Sequence, residues 1–241
     1  MVRGGCWEVV RMILNKGLLT GVFGRFQEAD PYWGSVMALF HFDGNHDSTL
    51  FIEQTGKTAT AYGDAKLSTT YSVFGGTPLY MPGAGGYITL PGSSDWAFGT
   101  GDFTIECRMR TPVATTRGHL LSNRTASTNT QWELYTYAGK LIFGGGTTDY
   151  METATTLLDD TWYVIAVSRI GTSLKMFLDG AVVGSVTNSN NFSDSTTPFC
   201  IGCQPNGYYN LNGFIDEVRV TKGVGRYSGA YTVATTPFPD Q

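Results

Sequence analysis

Phe98-Gly-Thr-Gly-Asp-Phe-Thr-Ile-Glu-Cys-Arg-Met-Arg110 opens on a glycine-rich turn and runs straight into a segment of strict two-residue period. Phe103, Ile105, Cys107 and Met109 project one way, and Thr104, Glu106, Arg108 and Arg110 the other. This is how a strand reads when one face lies on a core and the other meets solvent or a second layer.

The same grammar recurs on both sides of it. Strands are expected at 38–42, 86–90, 103–110, 119–122, 131–137, 140–143, 162–170, 173–178, 181–186, 199–201 and 213–220, with turn residues between nearly all of them. The clearest hairpin joins 173–178 to 181–186 through Asp179-Gly180, a dipeptide suited to the two positive-φ positions of a type I′ turn. It predicts Leu178 opposite Ala181 and Met176 opposite Val183. About eleven strands without intervening helices bury their apolar faces as a closed barrel or as two stacked sheets. Irregular spacing and long connections, such as 43–85, favour an antiparallel two-sheet jelly-roll sandwich.

Composition agrees. The 241 residues suit one large all-β domain, with 31 glycines and only 15% charged residues. A net charge of −4 and a pI near 5.3 argue against nucleic acid as a partner. No apolar run reaches the roughly 18 residues of a membrane span, and Met12-Ile13-Leu14 is cut short by Asn15-Lys16-Gly17, so neither a membrane partner nor an export signal is expected.

Residues 1–36 read as a partly helical N-terminal arm, with Trp7, Val10, Ile13, Leu14 and Leu18 on one stripe. Too apolar to stand alone and too small for a core, the arm is expected to dock on another surface, leaving 37–241 as the sandwich domain. Cys200 and Cys203 have the spacing of a zinc or redox pair, but no second Cys or His pair matches them and no βαβ setting surrounds them. Without an export signal, Cys6, Cys107, Cys200 and Cys203 are expected as free thiols packed as small hydrophobes.

The order 38–44, Gly86-Tyr87-Ile88-Thr89-Leu90, 96–106, 162–169, Phe177-Leu178-Asp179-Gly180 and Asn212-Gly213-Phe214-Ile215-Asp216-Glu217-Val218-Arg219-Val220 resembles the laminin-G-like, concanavalin A-like lectin/glucanase superfamily. The tail, Lys222-Gly223-Val224-Gly225-Arg226-Tyr227 through Pro237-Phe238-Pro239, looks like the variant common in bacteriophage virion proteins. The resemblance covers about 38–240 and leaves the arm outside. Cys107 departs from it, since related sequences often carry an aromatic residue there.

Glycanases of that superfamily place carboxylates on alternate residues of one strand. No such strand exists here: Asp159-Asp160 and Asp216-Glu217 are adjacent, and Glu106 stands among basic neighbours. Nucleophile-elbow, metalloprotease and phosphate-loop motifs are missing too, so no catalytic residue is assigned. Asp216 shares its strand alternation with Phe214, Val218 and Val220, and a buried carboxylate needs hydrogen bonds, an ion pair or a metal. Asp43 follows Leu39 and His41, in a loop rich in hard oxygen ligands. The resemblance implies that the first and last strands lie close, with a structural calcium where such acids meet. Two readings stand: Asp43, Asp47 and Asp216 hold one Ca²⁺, or Asp216 caps backbone N–H groups and Asp43 begins a turn.

For a ligand, the loop with Asn206, Tyr208, Tyr209 and Asn210, together with Asn191, combines aromatic faces with amides, which suits sugar rings. The sequence therefore points to a non-enzymatic virion protein, assembled in the host cytoplasm. It would dock on other virion proteins through its arm, homo-oligomerise on the particle and bind host-surface glycan. The alternative is a secreted or surface carbohydrate-binding module of a cellular protein, in an extracellular setting; a third is a glycan-cleaving enzyme.

Overall fold

The computed structural model describes residues 29–83, 85–125 and 128–241. The helical stripe expected at 7–18, and Cys6, lie outside the described residues. Among the described residues fifteen strands follow one another: β1 (Val36–Phe40), β2 (Thr60–Tyr62), β3 (Lys66–Leu67), β4 (Leu79–Pro82), β5 (Tyr87–Leu90), β6 (Phe103–Arg110), β7 (Gly118–Ser122), β8 (Glu133–Tyr137), β9 (Lys140–Gly145), β10 (Thr148–Glu152), β11 (Tyr163–Ile170), β12 (Ser173–Leu178), β13 (Ala181–Thr187), β14 (Phe199–Ile201) and β15 (Asn212–Lys222). They form two antiparallel sheets. One runs β13-β12-β11-β6-β15-β4-β3, with β1 also on β15; the other runs β10-β9-β8-β7-β14-β5-β2. The jelly-roll expectation holds.

The core lies between the sheets. Ile105, Cys107 and Met109 of β6 meet Ile165 and Val167 of β11 and Ile215, Val218 and Val220 of β15, all buried. Phe98 stacks on Phe103 and on Trp132, and Trp132 packs on Phe199, so an aromatic column bridges the two layers. Cys107 is a buried free thiol whose pKa burial pushes up.

The opposite face of β6 is not bare. Glu106 lies directly across from Arg219, whose Nε and Nη2 donate to its two oxygens at 2.8 and 3.1 Å. The Tyr227 hydroxyl donates to the same carboxylate at 2.6 Å. Arg219 also reaches Asp30 at 3.0 Å, and Arg226 holds Asp30 from the other side at 2.7 and 3.0 Å. Burial alone would raise the Asp30 pKa, yet the hydrogen bonds from Arg226 and Tyr32 and the two guanidinium charges hold it below the usual carboxylate range. The network stitches the chain before β1 and the segment after β15 onto the sheet. Asp30 and Val36 are accordingly buried, Asp30 on the outer face of this sheet, so the described chain already contacts the sheet upstream of residue 37.

Several sequence expectations are corrected by irregularities of register. The connection 43–85 contains β2, β3 and β4, three strands too short to declare a period. A bulge shifts the β12–β13 hairpin beyond its turn: Leu178 faces Ala181 as expected, but Met176 faces Gly184 instead of Val183. The turn itself has Asp179 at φ 49° and Gly180 at φ 80°, the two left-handed positions of type I′. A second bulge, at Glu217 with φ 51°, interrupts β15 between Asp216 and Arg219. It puts Asp216 opposite Arg108, on the outer face with Phe214, while Val218 and Val220 point into the core. Asp216 is therefore not on the apolar side.

Arg219→Met leaves two buried carboxylates short of a partner and should cost about 3–5 kcal/mol in urea denaturation. The double variant Glu106→Met/Arg219→Met should cost less than the single one. A single variant as stable as wild type would refute this account of the network.

Candidate functional site: a tyrosine row on the seven-stranded sheet

β14 ends at Ile201, and Gly202 at φ 94° turns the chain back on itself. Cys203 thereby returns to Cys200 with 5.9 Å between their Cα atoms, and the two form a disulfide. This corrects the expectation of free thiols; the spacing that lacked zinc partners is bridged by a local reversal of the strand end. The loop that follows is tightly hydrogen-bonded. Gln204 N–H donates to Tyr208 O at 3.0 Å, Gly207 N–H to Gln204 O at 2.8 Å, Leu211 N–H to Gly202 O at 2.8 Å, and His119 N–H to Tyr209 O at 2.9 Å.

Beneath the loop lies one buried carboxylate. Glu133 accepts from His119 Nε2 at 2.7 Å, from Gln204 Nε2 at 3.1 Å and from Arg124 Nη1 at 3.2 Å, with Arg117 at 3.6 Å. Burial alone would raise Glu133, but the His119 hydrogen bond and the Arg124 charge hold it below the usual carboxylate range. Burial lowers the His119 pKa against the pull of Glu133. A neutral imidazole beside an ionised acceptor must carry its proton on Nε2. Glu133 thus joins the base of the tyrosine loop to β7 and β8.

Above this base runs a row of rings on the outer face of the sheet. Tyr62 stacks on Tyr87 at 4.7 Å, and the Tyr87 hydroxyl abuts Gly207. Tyr208 lies 6.4 Å from Tyr209, Tyr209 lies 5.6 Å from His119, and His119 stacks on Tyr135 at 5.1 Å. The Arg117 guanidinium sits over both Tyr135 and Tyr209, at 4.3 and 4.8 Å. From β2 to β8 the row spans about 19 Å at ordinary strand spacing. Tyr208, Tyr209 and Tyr62 are 64%, 50% and 43% exposed, so their faces are open to a ligand. Beside the row opens a cleft of about 390 Å³ lined by Arg117 and Asn210. Arg117 Nε and Asn210 Nδ2 are buried donors without a partner.

Of the expected ligand residues, Tyr208, Tyr209 and Asn210 belong to this surface. Asn206 is exposed and accepts the Tyr208 N–H at 3.3 Å. Asn191 lies elsewhere: its segment enters β14 beside Gly99, whereas the tyrosine loop leaves the other end of that strand. Tyr62, Tyr87, Arg117, His119 and Tyr135 were missed. The alternation of Glu133, Tyr135 and Tyr137 was the available signal for β8, but Tyr62 sits in a strand too short to show one.

The three aspartates do not form a ligand set. Among the described residues no group of three or more His, Cys, Asp or Glu side chains is placed to hold a metal ion. Asp47 pairs with Lys66 at 2.7 Å, and Asp43 abuts Gly76. The Asp216 carboxylate accepts the Glu217 N–H at 3.0 Å, as the turn-capping reading expects. Burial, then the charges of Glu217 and Asp43, push Asp216 up to about 8. Nearby, His41 binds Glu217 and Asp240, both at 2.8 Å; burial would lower it, but these two carboxylates lift it to about 9.

The chain belongs to the concanavalin A-like lectin/glucanases superfamily, whose pattern matches residues 82–224. No curated protein matches the sequence. Among solved structures, domain 4 of AbnA, a GH43 extracellular arabinanase from Geobacillus stearothermophilus solved with arabinotriose, is similar with a TM-score of 0.59 at 18% identity, over 82% of this chain and 94% of that one. The binding domain of Paraclostridial Mosquitocidal Protein 1 is similar with a TM-score of 0.59 at 13% identity, over 79% and 49%. The receptor binding domain of botulinum neurotoxin C/D mosaic serotype gives 0.57 at 9% identity, over 80% and 49%. The chain thus spans about half the length of these toxin domains. At such identities the likeness is one of fold.

Two measurements follow. The folded protein holds the Asp216 proton more tightly than the unfolded chain, whose carboxyl titrates near 3.9. Stability should therefore fall as pH rises from about 4 to about 8. The His41 contribution is complete below about 6.5 and is lost as pH rises through about 9. Asp216→Asn keeps the acceptor for Glu217 N–H, and its Tm should exceed that of wild type at pH 8.5 and match it near pH 4; a lower Tm at pH 8.5 overturns the protonation account. Glu133→Ala, which strands the Arg124 and Arg117 charges, should cost about 3 kcal/mol, whereas Tyr208→Ala/Tyr209→Ala should leave the melting temperature nearly unchanged.

Proposed function

We propose that this protein is a non-enzymatic glycan-binding domain, displayed on a phage particle and docked there by its N-terminal segment. The observation that carries the glycan reading is the exposed tyrosine row on a loop braced by a disulfide and by Glu133. Ring faces stack on the C–H faces of sugars, and Arg117 and Asn210, which line the adjacent cleft, bring guanidinium and amide groups suited to hydroxyl oxygens. A rigid loop loses little entropy on binding, which favours affinity from few contacts. The arabinotriose complex of the arabinanase domain supports saccharide as the ligand class. The non-enzymatic reading is supported by the buried carboxylate beneath the loop: Glu133 is taken up by hydrogen bonds from His119, Gln204 and Arg124, so it is not a free nucleophile.

The virion setting rests on the resemblance of the segment 222–239 to phage variants, and the docking role on the apolar stripe at 7–18. Homo-oligomerisation on the particle belongs to the same reading, and calcium is not part of it, since the aspartates offer no ligand set. Immobilised glycans probed with wild type and with Tyr208→Ala/Tyr209→Ala test the ligand. At least a tenfold loss in the double variant is expected, and undiminished binding would refute the row as the site. Deleting residues 1–28, which spares Asp30 and β1, should abolish incorporation into particles while the domain still folds.

A further inference from the structure

On the outer face of the other sheet lies a cleft of about 430 Å³, formed where β3, β4, β6 and the start of β15 meet the loop 68–77. Small-molecule sites usually run from about 300 to 1,000 Å³. Its floor is Phe214, stacked on Tyr80 at 4.7 Å and met edge-on by Tyr71 at 5.2 Å and 81°. The Arg110 guanidinium carbon sits over the Tyr71 ring, 3.4 Å from its centroid. A stacked guanidinium keeps a planar edge of N–H donors, the geometry that receives a carboxylate. In the protein that edge holds Asp160 at 2.9 Å, through a carboxylate that is 57% exposed. Lys66, the second cation of the cleft, holds the equally exposed Asp47 at 2.7 Å.

Two features mark these contacts as a built seat. Asp47, Tyr71 and Asp160 have φ values of 64°, 59° and 58°, three of the nine left-handed non-glycine residues among the described residues. Aspartate tolerates that region, whereas tyrosine enters it at a cost of order 1–3 kcal/mol and stays only where its surroundings hold it. Here Arg110 and Phe214 hold the ring. Each cation is also already matched to a carboxylate carried on an exposed turn; Arg110 is only 9% exposed while Asp160 is 57% exposed, so the rim carboxylate is the group that can swing away to admit another. The cations and aromatic walls form the fixed part of the site, and the aspartates its exchangeable rim. Asn212, Ser68 and Thr70 add amide and hydroxyl groups to the lining.

We propose that this cleft is a second ligand site, for a carboxylated pyranose, whose carboxylate takes the place of Asp160 on Arg110 while its ring lies against Tyr71. It stands independently of the tyrosine row, which is on the opposite sheet. Titration of the ¹⁵N-labelled protein with D-glucuronate and with D-glucose tests it, because the two sugars differ in the carboxylate at C6.

Glucuronate should shift the amides of Tyr71, Asp160 and Asn212 saturably, and glucose should bind at least tenfold more weakly. Asp160→Asn, which removes the competing carboxylate, should tighten glucuronate several-fold; Lys66→Gln and Tyr71→Ala should weaken it, with the remaining amide spectrum reporting an intact fold. Absence of saturable shifts at these amides, equal binding of glucose, equal shifts with acetate, or no gain in Asp160→Asn would each overturn the proposal.

Discussion

The pairing of Glu106 with Arg219 across the seam of β6 and β15 is the contact on which the eight-stranded sheet depends. β15 is its longest strand; β6 lies along one side, and β4 then β1 share the other. A buried guanidinium and carboxylate in register forbid a one-residue slip, because a slip of β15 would send Arg219 into the apolar layer and leave Glu106 buried without its partner. Asp30, Arg226 and Tyr227 complete their partners, so the same contact gathers the segments before β1 and after β15.

The seven-stranded sheet repeats this device under the tyrosine loop. Glu133 is a second buried hub, with His119, Gln204 and Arg124 donating to it, and the Cys200–Cys203 disulfide closes the loop at its root. Each sheet therefore carries polar connections on its outer face that do more than meet water: one binds the ends of the chain, and the other holds rings at the surface.

How far the sequence was readable depended in part on strand length. Phe103–Arg110 and Ser173–Leu178 were found with their exact bounds because six to eight alternating residues declare a period. Thr60–Tyr62 and Lys66–Leu67 were not, because two or three residues declare no period, and Tyr62 was lost from the site with them; the three-residue Phe199–Ile201 was nonetheless found, and the five-residue Thr148–Glu152 was missed. The bulges at Glu217 and beyond Met176 were invisible for a related reason: an extra residue that reverses the faces looks like any other until its partner strand is known. Asp216 was misplaced on that account, and Tyr208 and Tyr209 were recognised without the strands that complete their row.

By itself the sequence determined the all-β sandwich, its family, its type I′ hairpin and the tyrosine loop, since periodicity and turn chemistry are local properties. Tertiary structure alone decided which carboxylates are paired, which cysteines are joined and which rings share a surface. Those outcomes depend on contacts such as Asp30 with Arg226 and His41 with Asp240, between groups some two hundred residues apart. Only chain closure brings such groups within the few ångströms over which charge and ring contact act.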